Sequence, residues 1–186
     1  MTNQENEVPG SFLKVVILLA VSTGFAKVLP AQHDLQQKLD HARALARRGE
    51  VTAAEREYLA AIQLDPKSYE AHNDLGALYM SAKRFKSACQ EFGLAANLNQ
   101  GVAAIHQNLG ICFMEANNFS GATEALKKAE ELDPQDLRTH YFLGYCFFTL
   151  NQVDEAEVEL EYVLNHKPDD ENTLFYLIRI YTQRKA

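Results

Sequence analysis

The chain has 186 residues and a mass of 20.9 kDa, which is about the size of one domain and argues against a two-domain enzyme. Hydrophobic residues make up 47% and charged residues 23%, with 5 proline and 9 glycine residues, so collagen-like, low-complexity and wholly disordered chains are excluded. The formal net charge is −7, so we expect no nucleic acid partner.

The amino-terminal segment, residues 1–31, differs from the rest of the chain. A polar stretch precedes an apolar run over 15–21, which extends to Ala26 if the small residues that follow are counted. This order predicts a signal peptide, with cleavage after Ala26 or Ala31, where Pro30 would keep the preceding backbone extended. The run is shorter than the roughly 20 residues that span a bilayer, and an uncleaved membrane-anchor segment is the alternative. We therefore expect an exported (periplasmic or secreted) or membrane-tethered protein; a cytoplasmic location is the other possibility.

Identical residue types recur every 34 residues from position 54 onward. A repeat period of this length is typical of stacked structural units. The dipeptide Leu-Gly begins at residues 75, 109 and 143, and three histidines precede it by three residues. The recurring residues are His72, His106 and His140; Ala54, Ala88, Ala122 and Ala156; and Pro66, Pro134 and Pro168.

Each period predicts two helices, because apolar residues keep a spacing of three or four on both sides of a central break. Residues that tolerate left-handed backbone mark this break, with Lys83 as the exception. The others are Gly49, Asn117 and Asn151. The second helices are predicted to begin after N-cap residues Thr52, Ser120 and Asp154.

This pattern resembles the tetratricopeptide repeat (TPR) family, whose 34-residue helix hairpins carry Leu-Gly in the first helix and alanines in the second. The resemblance implies an all-α fold, an α-solenoid of four TPR helix hairpins plus a C-terminal capping helix. The first unit departs from the pattern, with His41 and Ala42 in place of Leu-Gly. The units are placed at 35–68, 69–102, 103–136 and 137–170, with the capping helix and tail at 171–186.

The glycine of each Leu-Gly pair is predicted to let the two helices of a hairpin approach closely. A larger side chain at Gly76, Gly110 or Gly144 would force the helices apart.

The resemblance implies a non-enzymatic protein-protein interaction module, a scaffold that holds a peptide segment of a partner protein in a concave groove. No catalytic motif such as G-x-S-x-G, H-E-x-x-H or a Gly-rich phosphate loop occurs in the sequence, and no cofactor is expected. A membrane would be contacted only through an uncleaved amino-terminal segment. The alternative function is structural self-association, as a homo-oligomer or as a unit of a larger assembly.

The family's groove positions can be carried onto this sequence, where they start polar and basic and end aromatic. We expect the ligand to place its apolar residues at the aromatic end. Equally, the rings could only seal the last hairpin against water. The predicted groove residues are Arg43, Arg47, Asn73, Met80, Gln107, Asn108, Met114, Arg138, Tyr141, Tyr145, Phe148, Phe175 and Arg179.

Two other residue sets are interpreted as structural. His72, His106 and His140 occupy equivalent places on helices about 8–10 Å apart, too far for a shared metal ion. Cys112 and Cys146 also lie one period apart, so we expect buried, inert thiols rather than a disulfide between them. The three cysteines leave at least one thiol unpaired in an exported chain.

Overall fold

The computed structural model describes residues 26–184, and within them the chain forms nine α-helices and no strand. Connections of a few residues join each helix to the next. The helices are α1 (Ala26–Arg47), α2 (Val51–Leu64), α3 (Tyr69–Ser81), α4 (Phe85–Leu98), α5 (Ala103–Glu115), α6 (Phe119–Leu132), α7 (Leu137–Thr149), α8 (Val153–His166) and α9 (Glu171–Gln183).

The helices pack as a linear series of hairpins. Helices α1 and α2, α3 and α4, α5 and α6, and α7 and α8 form the four hairpins, and each hairpin packs against the next. Helix α9 closes the series against α8 and α7. The predicted all-α solenoid with a capping helix is therefore confirmed. Stability in such an array comes from stacking, since a helix of about 14 residues is marginal alone.

Residues 1–25 of the predicted leader, which covers 1–31, lie outside the described residues. From Ala26 onward the backbone is helical and continuous with the rest of α1. The expected extended backbone before Pro30 is therefore wrong, because residues 26–29 are helical and Pro30 is the fifth residue of α1. Among residues 26–184, no helix combines the length and apolarity that crossing a membrane requires.

Small residues hold the two helices of each hairpin together. The alanines Ala54, Ala88, Ala122 and Ala156 are completely buried. A Cβ atom placed on Gly110 would lie 2.5 Å from Cγ of Leu126, and one on Gly144 would lie 2.6 Å from Cγ of Leu160. The predicted close approach at these glycines is confirmed.

The residue two positions after the end of each first helix adopts left-handed backbone, as predicted. The φ angle is 76° at Gly49, 58° at Asn117 and 61° at Asn151. The N-caps predicted at Thr52, Ser120 and Asp154 are wrong, because the second helices begin before these residues. The left-handed residue directly precedes the cap, so the chain enters the next helix at once. In α6 the cap is Asn118, whose side chain accepts a hydrogen bond from the backbone of Gly121.

Lys83 occupies the same left-handed position between α3 and α4, with φ of 57°. This conformation costs a residue with an ordinary side chain about 1 kcal/mol, whereas Asn adopts it readily. We expect Lys83→Asn to raise the melting temperature by about 2–4 °C in a thermal unfolding experiment. As a control, Lys86→Asn in the first turn of α4 is expected to leave it nearly unchanged, because Asn is a poorer helix former than Lys but the positive charge of Lys86 is unfavourable at a helix N-terminus. If Lys83→Asn melts at or below the wild-type temperature, the left-handed backbone at Lys83 does not destabilise the protein.

The cysteines correct one sequence prediction. Cys112 is not a thiol but forms a disulfide with Cys89, with a Cα–Cα distance of 5.5 Å. The bond joins α4 to α5, and so the second hairpin to the third. Cys146 is a buried free thiol, and burial raises its pKa to about 12, as expected for an inert cysteine.

Candidate protein-binding groove

The first helices of successive hairpins lie side by side. Helix α1 contacts α3, α3 contacts α5, α5 contacts α7, and α7 contacts the closing helix α9. They form one continuous surface, which we call the first-helix face. All of the predicted groove residues lie on these five helices.

The amino-terminal end of the first-helix face holds a pocket of about 420 Å³ between α1 and α3. Arg43 lines it, and its Nε donates a hydrogen bond of 2.6 Å to Oδ2 of Asp74. Arg47 also lines the pocket and makes no ion pair within residues 26–184. Arg43 is thus neutralised in place, while Arg47 offers a positive charge to a ligand.

Tyr58 is a residue of this pocket that the sequence prediction missed, because it lies on the second helix α2. It is buried, and burial raises its pKa to about 12. The hydroxyl is protonated at neutral pH, as in any tyrosine, and can donate a hydrogen bond. Tyr58 lies in register with Phe92 and Leu126, which are also buried.

The middle of the first-helix face is already occupied by hydrogen bonds between helices. Nδ2 of Asn108 donates to Oδ1 of Asn73 across α5 and α3, at 3.1 Å. Nε2 of Gln107 donates to Oγ1 of Thr139, at 2.7 Å, and to the Asp136 carboxylate. Three predicted groove residues thus hold neighbouring units in register, and a ligand would compete with these bonds.

Asp136 anchors this network at the N-terminus of α7, where its side chain accepts hydrogen bonds from the backbone of Arg138 and Thr139. Partial burial opposes its ionisation, but the hydrogen bonds from Thr139, Arg138 and Gln107 lower its pKa below the ordinary value. The cap is therefore a carboxylate at neutral pH.

The two predicted methionines are partly buried. Met80 packs against the core formed by the first two hairpins, and Met114 packs against the core of the last two. Both methionines therefore contribute to the packing of the core as well as to the surface of the groove.

The carboxyl-terminal end of the first-helix face carries the aromatic cluster, which we define as Tyr141, Tyr145, Phe148, Phe175 and Tyr176. Tyr176 lies at its centre. Its ring centroid is 5.5 Å from that of Tyr145, 5.3 Å from that of Phe148 and 5.2 Å from that of Phe175. These tilted and edge-on contacts are favourable, and they join α7 to α9.

Tyr176 is not among the predicted groove residues. The repeat period could have indicated it, because Tyr176 follows another aromatic residue, Phe142, by 34 residues. Phe175 is 54% exposed, and the other rings of the aromatic cluster are half-buried. Burial raises the pKa values of Tyr141 and Tyr176. Their hydroxyls, protonated at neutral pH like those of other tyrosines, can donate hydrogen bonds. The cluster both seals the last hairpin and leaves ring surface accessible.

Two arginines flank the aromatic cluster. The guanidinium of Arg179 lies 5.0 Å from the ring centroid of Phe148 and 5.6 Å from that of Phe175. Arg138 lies 5.4 Å from the ring of Phe142. Neither arginine forms an ion pair within the described part of the chain. Aromatic rings and cations that still need counter-charges thus meet at one end of the first-helix face.

The three repeated histidines are buried, each at the same place in its hairpin. His72 Nδ1 lies 2.7 Å from Glu91, and His140 Nδ1 lies 2.7 Å from Glu159. His106 Nε2 bonds the backbone oxygen of Gln100. Each histidine thus bonds a different partner, and the three do not share one.

Family models match two parts of the chain. One described as "Tetratricopeptide repeat" matches residues 113–178, and one described as "TPR repeat" matches residues 42–83. A search among curated proteins found an uncharacterized protein of Haemophilus influenzae, 40% identical over 70 residues, which are 36% of this chain. The chain spans 38% of the length of that relative.

Solved structures share the fold. A crystal structure of MamA protein has a TM-score of 0.79 and 20% identity, covering 83% of this chain and 84% of that one. A second, described as "YrrB: a TPR protein with an unusual peptide-binding site", has a TM-score of 0.76 and 20% identity, covering 87% and 84%. At 20% identity, this similarity shows a shared fold and nothing about function.

Proposed function

Because the chain belongs to the tetratricopeptide repeat family, whose fold suggests protein-protein interaction, we propose that it is a non-enzymatic scaffold that binds a polypeptide segment of a partner along the first-helix face. The observation that carries the proposal is the aromatic cluster with Arg138 and Arg179 beside it. Half-exposed aromatic rings lie here next to cations that make no ion pair among residues 26–184, and Tyr and Arg are residue types that dominate binding energy at protein interfaces.

The ligand we propose is a segment with apolar or aromatic side chains for the aromatic cluster and a carboxylate for Arg138 or Arg179. A carboxylate there would form charge-assisted hydrogen bonds with a guanidinium whose face already stacks on a ring. Arg47, at the other end of the first-helix face, supports a second acidic contact. A solved relative described as having a peptide-binding site agrees with this type of ligand.

The second candidate function is self-association through α9. Ile178 on this helix is 59% exposed and Phe175 is 54% exposed, so the closing helix presents apolar surface to solvent. Sedimentation velocity over a range of protein concentrations separates the two functions. A strict monomer at all concentrations argues against self-association and leaves partner binding intact.

We further propose that the chain works in an oxidising compartment, as an exported or membrane-tethered protein. The Cys89–Cys112 disulfide supports this, because such bonds persist outside the reducing cytosol. Mass analysis of the mature amino terminus tests it. A cut within residues 26–31 supports export after cleavage, and an intact leader recovered in the soluble cytosol contradicts it.

The binding proposal is tested by substituting Tyr145, which lies within the aromatic cluster on α7. A partner is first captured with the full chain and identified by mass spectrometry, and its affinity is then measured by calorimetry. Tyr145→Arg is expected to weaken binding at least 30-fold, an effect of about 2 kcal/mol, because a charged side chain would replace a ring that packs against Tyr176.

The matched control is Val158→Arg, which adds the same charge on the second helix α8, at a residue that is 66% exposed. This variant is expected to bind as tightly as the wild type. If a folded Tyr145→Arg chain binds with undiminished affinity, the aromatic cluster is not the binding site and serves only to seal the last hairpin.

A further inference from the structure

A basic side chain on the first helix meets a carboxylate on the second helix in three of the four hairpins. Lys38 Nζ lies 2.8 Å from Glu57, and the Nδ1 atoms of His72 and His140 are each paired as described above. The two partners are always 19 residues apart. In the third hairpin Ala125 replaces the carboxylate, so hairpin packing does not require the pair.

The fourth hairpin departs from this pattern by adding a second carboxylate. Oε1 of Glu130, on α6 of the preceding hairpin, lies 3.8 Å from Nδ1 of His140. The donor atoms of Glu130, His140 and Glu159 all lie within 4.8 Å of one another. One repeat earlier the residue equivalent to Glu130 is Ala96, and two repeats earlier it is Ile62. Packing between units is therefore satisfied by apolar residues at this position.

The second carboxylate is electrostatically unfavourable where it stands. Glu130 is half-buried, and its carboxylate lies beside that of Glu159, so two negative groups face one imidazole. Glu131 adds a further negative charge nearby. His72, which is equally buried, is satisfied by Glu91 alone. One carboxylate is therefore enough to pair with Nδ1 of the imidazole, and the second carboxylate next to His140 is not required for this contact.

The hydrogen bonds of His140 determine what its ring can bind. Nε2 lies 3.0 Å from the backbone oxygen of Pro134, and because a carbonyl oxygen only accepts, Nε2 carries a proton. In the neutral imidazole, Nδ1 then directs a lone pair at two carboxylates, which also only accept. A proton, on Nδ1 or on a carboxyl oxygen, or a metal ion must therefore stand between these three groups.

We propose that Glu130, His140 and Glu159 form a binding site for a divalent transition-metal ion of the Zn²⁺ type. Imidazole and carboxylate ligands bind Zn²⁺ at about 2.0–2.2 Å, which places the donors of a tetrahedral site roughly 3.3–3.5 Å apart. The distances from Nδ1 to the two carboxylates, 2.7 Å and 3.8 Å, lie on either side of this range. Two carboxylates balance the charge of the ion, and water would complete the coordination.

The surroundings of His140 fit a ligand. Metal-bound histidines usually donate their second ring nitrogen to a carbonyl or carboxylate, as Nε2 does here to Pro134. The ring of Tyr162 stacks on the imidazole, with centroids 4.0 Å apart, and holds its plane. The side chain of His140 is 6% exposed and that of Glu130 is 32% exposed, which leaves an entry path past Glu130. A bound ion would tie α6, α7 and α8 together.

The test is calorimetric titration of Zn²⁺ into the full chain after metal removal, without reductant. The wild type is expected to bind one ion. At Zn²⁺ about 100-fold above the dissociation constant, its melting temperature should rise by about 5–10 °C. Glu130→Ala, which recreates the Ala96 environment, should lose at least 100-fold in affinity and show no such rise. Without metal it should melt close to the wild type, because one of two like charges is removed.

Glu91→Ala is the matched control, because it removes the carboxylate beside His72, where residues 26–184 supply no third ligand. It is expected to leave Zn²⁺ affinity unchanged. The proposal is overturned if the wild type shows no saturable binding below millimolar Zn²⁺, which would mean that a proton alone occupies the cluster. It is equally overturned if Glu130→Ala binds like the wild type, or if both variants lose affinity to the same extent.

Discussion

Replacing Gly110 by leucine is expected to lower the melting temperature by roughly 6–12 °C, the equivalent of about 3 kcal/mol of unfolding free energy in a chain of this size. Gly110 lies on α5 where α6 comes closest. Even a Cβ atom would lie 2.5 Å from Cγ of Leu126 and 3.3 Å from the backbone oxygen of Ala122. The backbone oxygen cannot rotate away, so the hairpin must open to admit a side chain. Thermal unfolding followed by circular dichroism measures the effect.

Gly93 provides the control for this substitution. It lies within α4, and a Cβ atom there would meet no neighbouring atom within 4 Å. Gly93→Ala is therefore expected to stabilise the protein by about 0.5–1 kcal/mol through helix propensity, while Gly110→Ala destabilises it. If Gly110→Leu melts at the wild-type temperature, helices α5 and α6 do not pack in the described register.

The repeat period made the hairpins predictable from the sequence, because the same packing problem recurs every 34 residues and selects the same residue type. Gly76, Gly110 and Gly144 each meet one large side chain of the second helix, and Ala54 and its equivalents are buried without exception. The left-handed turn positions followed from the same register, since Gly and Asn tolerate that conformation.

Contacts between different repeat positions could not be read from the period. Cys89 and Cys112 occupy unequal places in neighbouring units, so only the packing of α4 against α5 brings them together. Glu130 reaches His140 from the preceding hairpin in the same way. The amides of Asn73, Gln107 and Asn108 were predicted as ligand contacts, but hydrogen bonds to neighbouring first helices occupy them. A period fixes equivalent positions, whereas these contacts depend on the stacking angle between units.

Breaking the Cys89–Cys112 disulfide is expected to have an effect as large as that of the Gly110 substitution. The two cysteines are 23 residues apart, and closing a loop of that length restricts the unfolded chain by about 3 kcal/mol. The bond also links the second hairpin to the third, at the middle of an array in which each unit is stabilised by its neighbours. We therefore expect Cys89→Ser to lower the melting temperature by roughly 6–12 °C.

Reductant distinguishes loss of the disulfide from loss of packing. Dithiothreitol should lower the melting temperature of the wild type by a similar amount and leave that of Cys89→Ser unchanged. Cys146→Ala is the control, because Cys146 is buried and unpaired and its removal leaves the response to reductant intact. Alkylation of the unfolded, unreduced protein should modify Cys146 alone. Modification of all three cysteines under those conditions, or a wild-type melting curve indifferent to dithiothreitol, would contradict the disulfide.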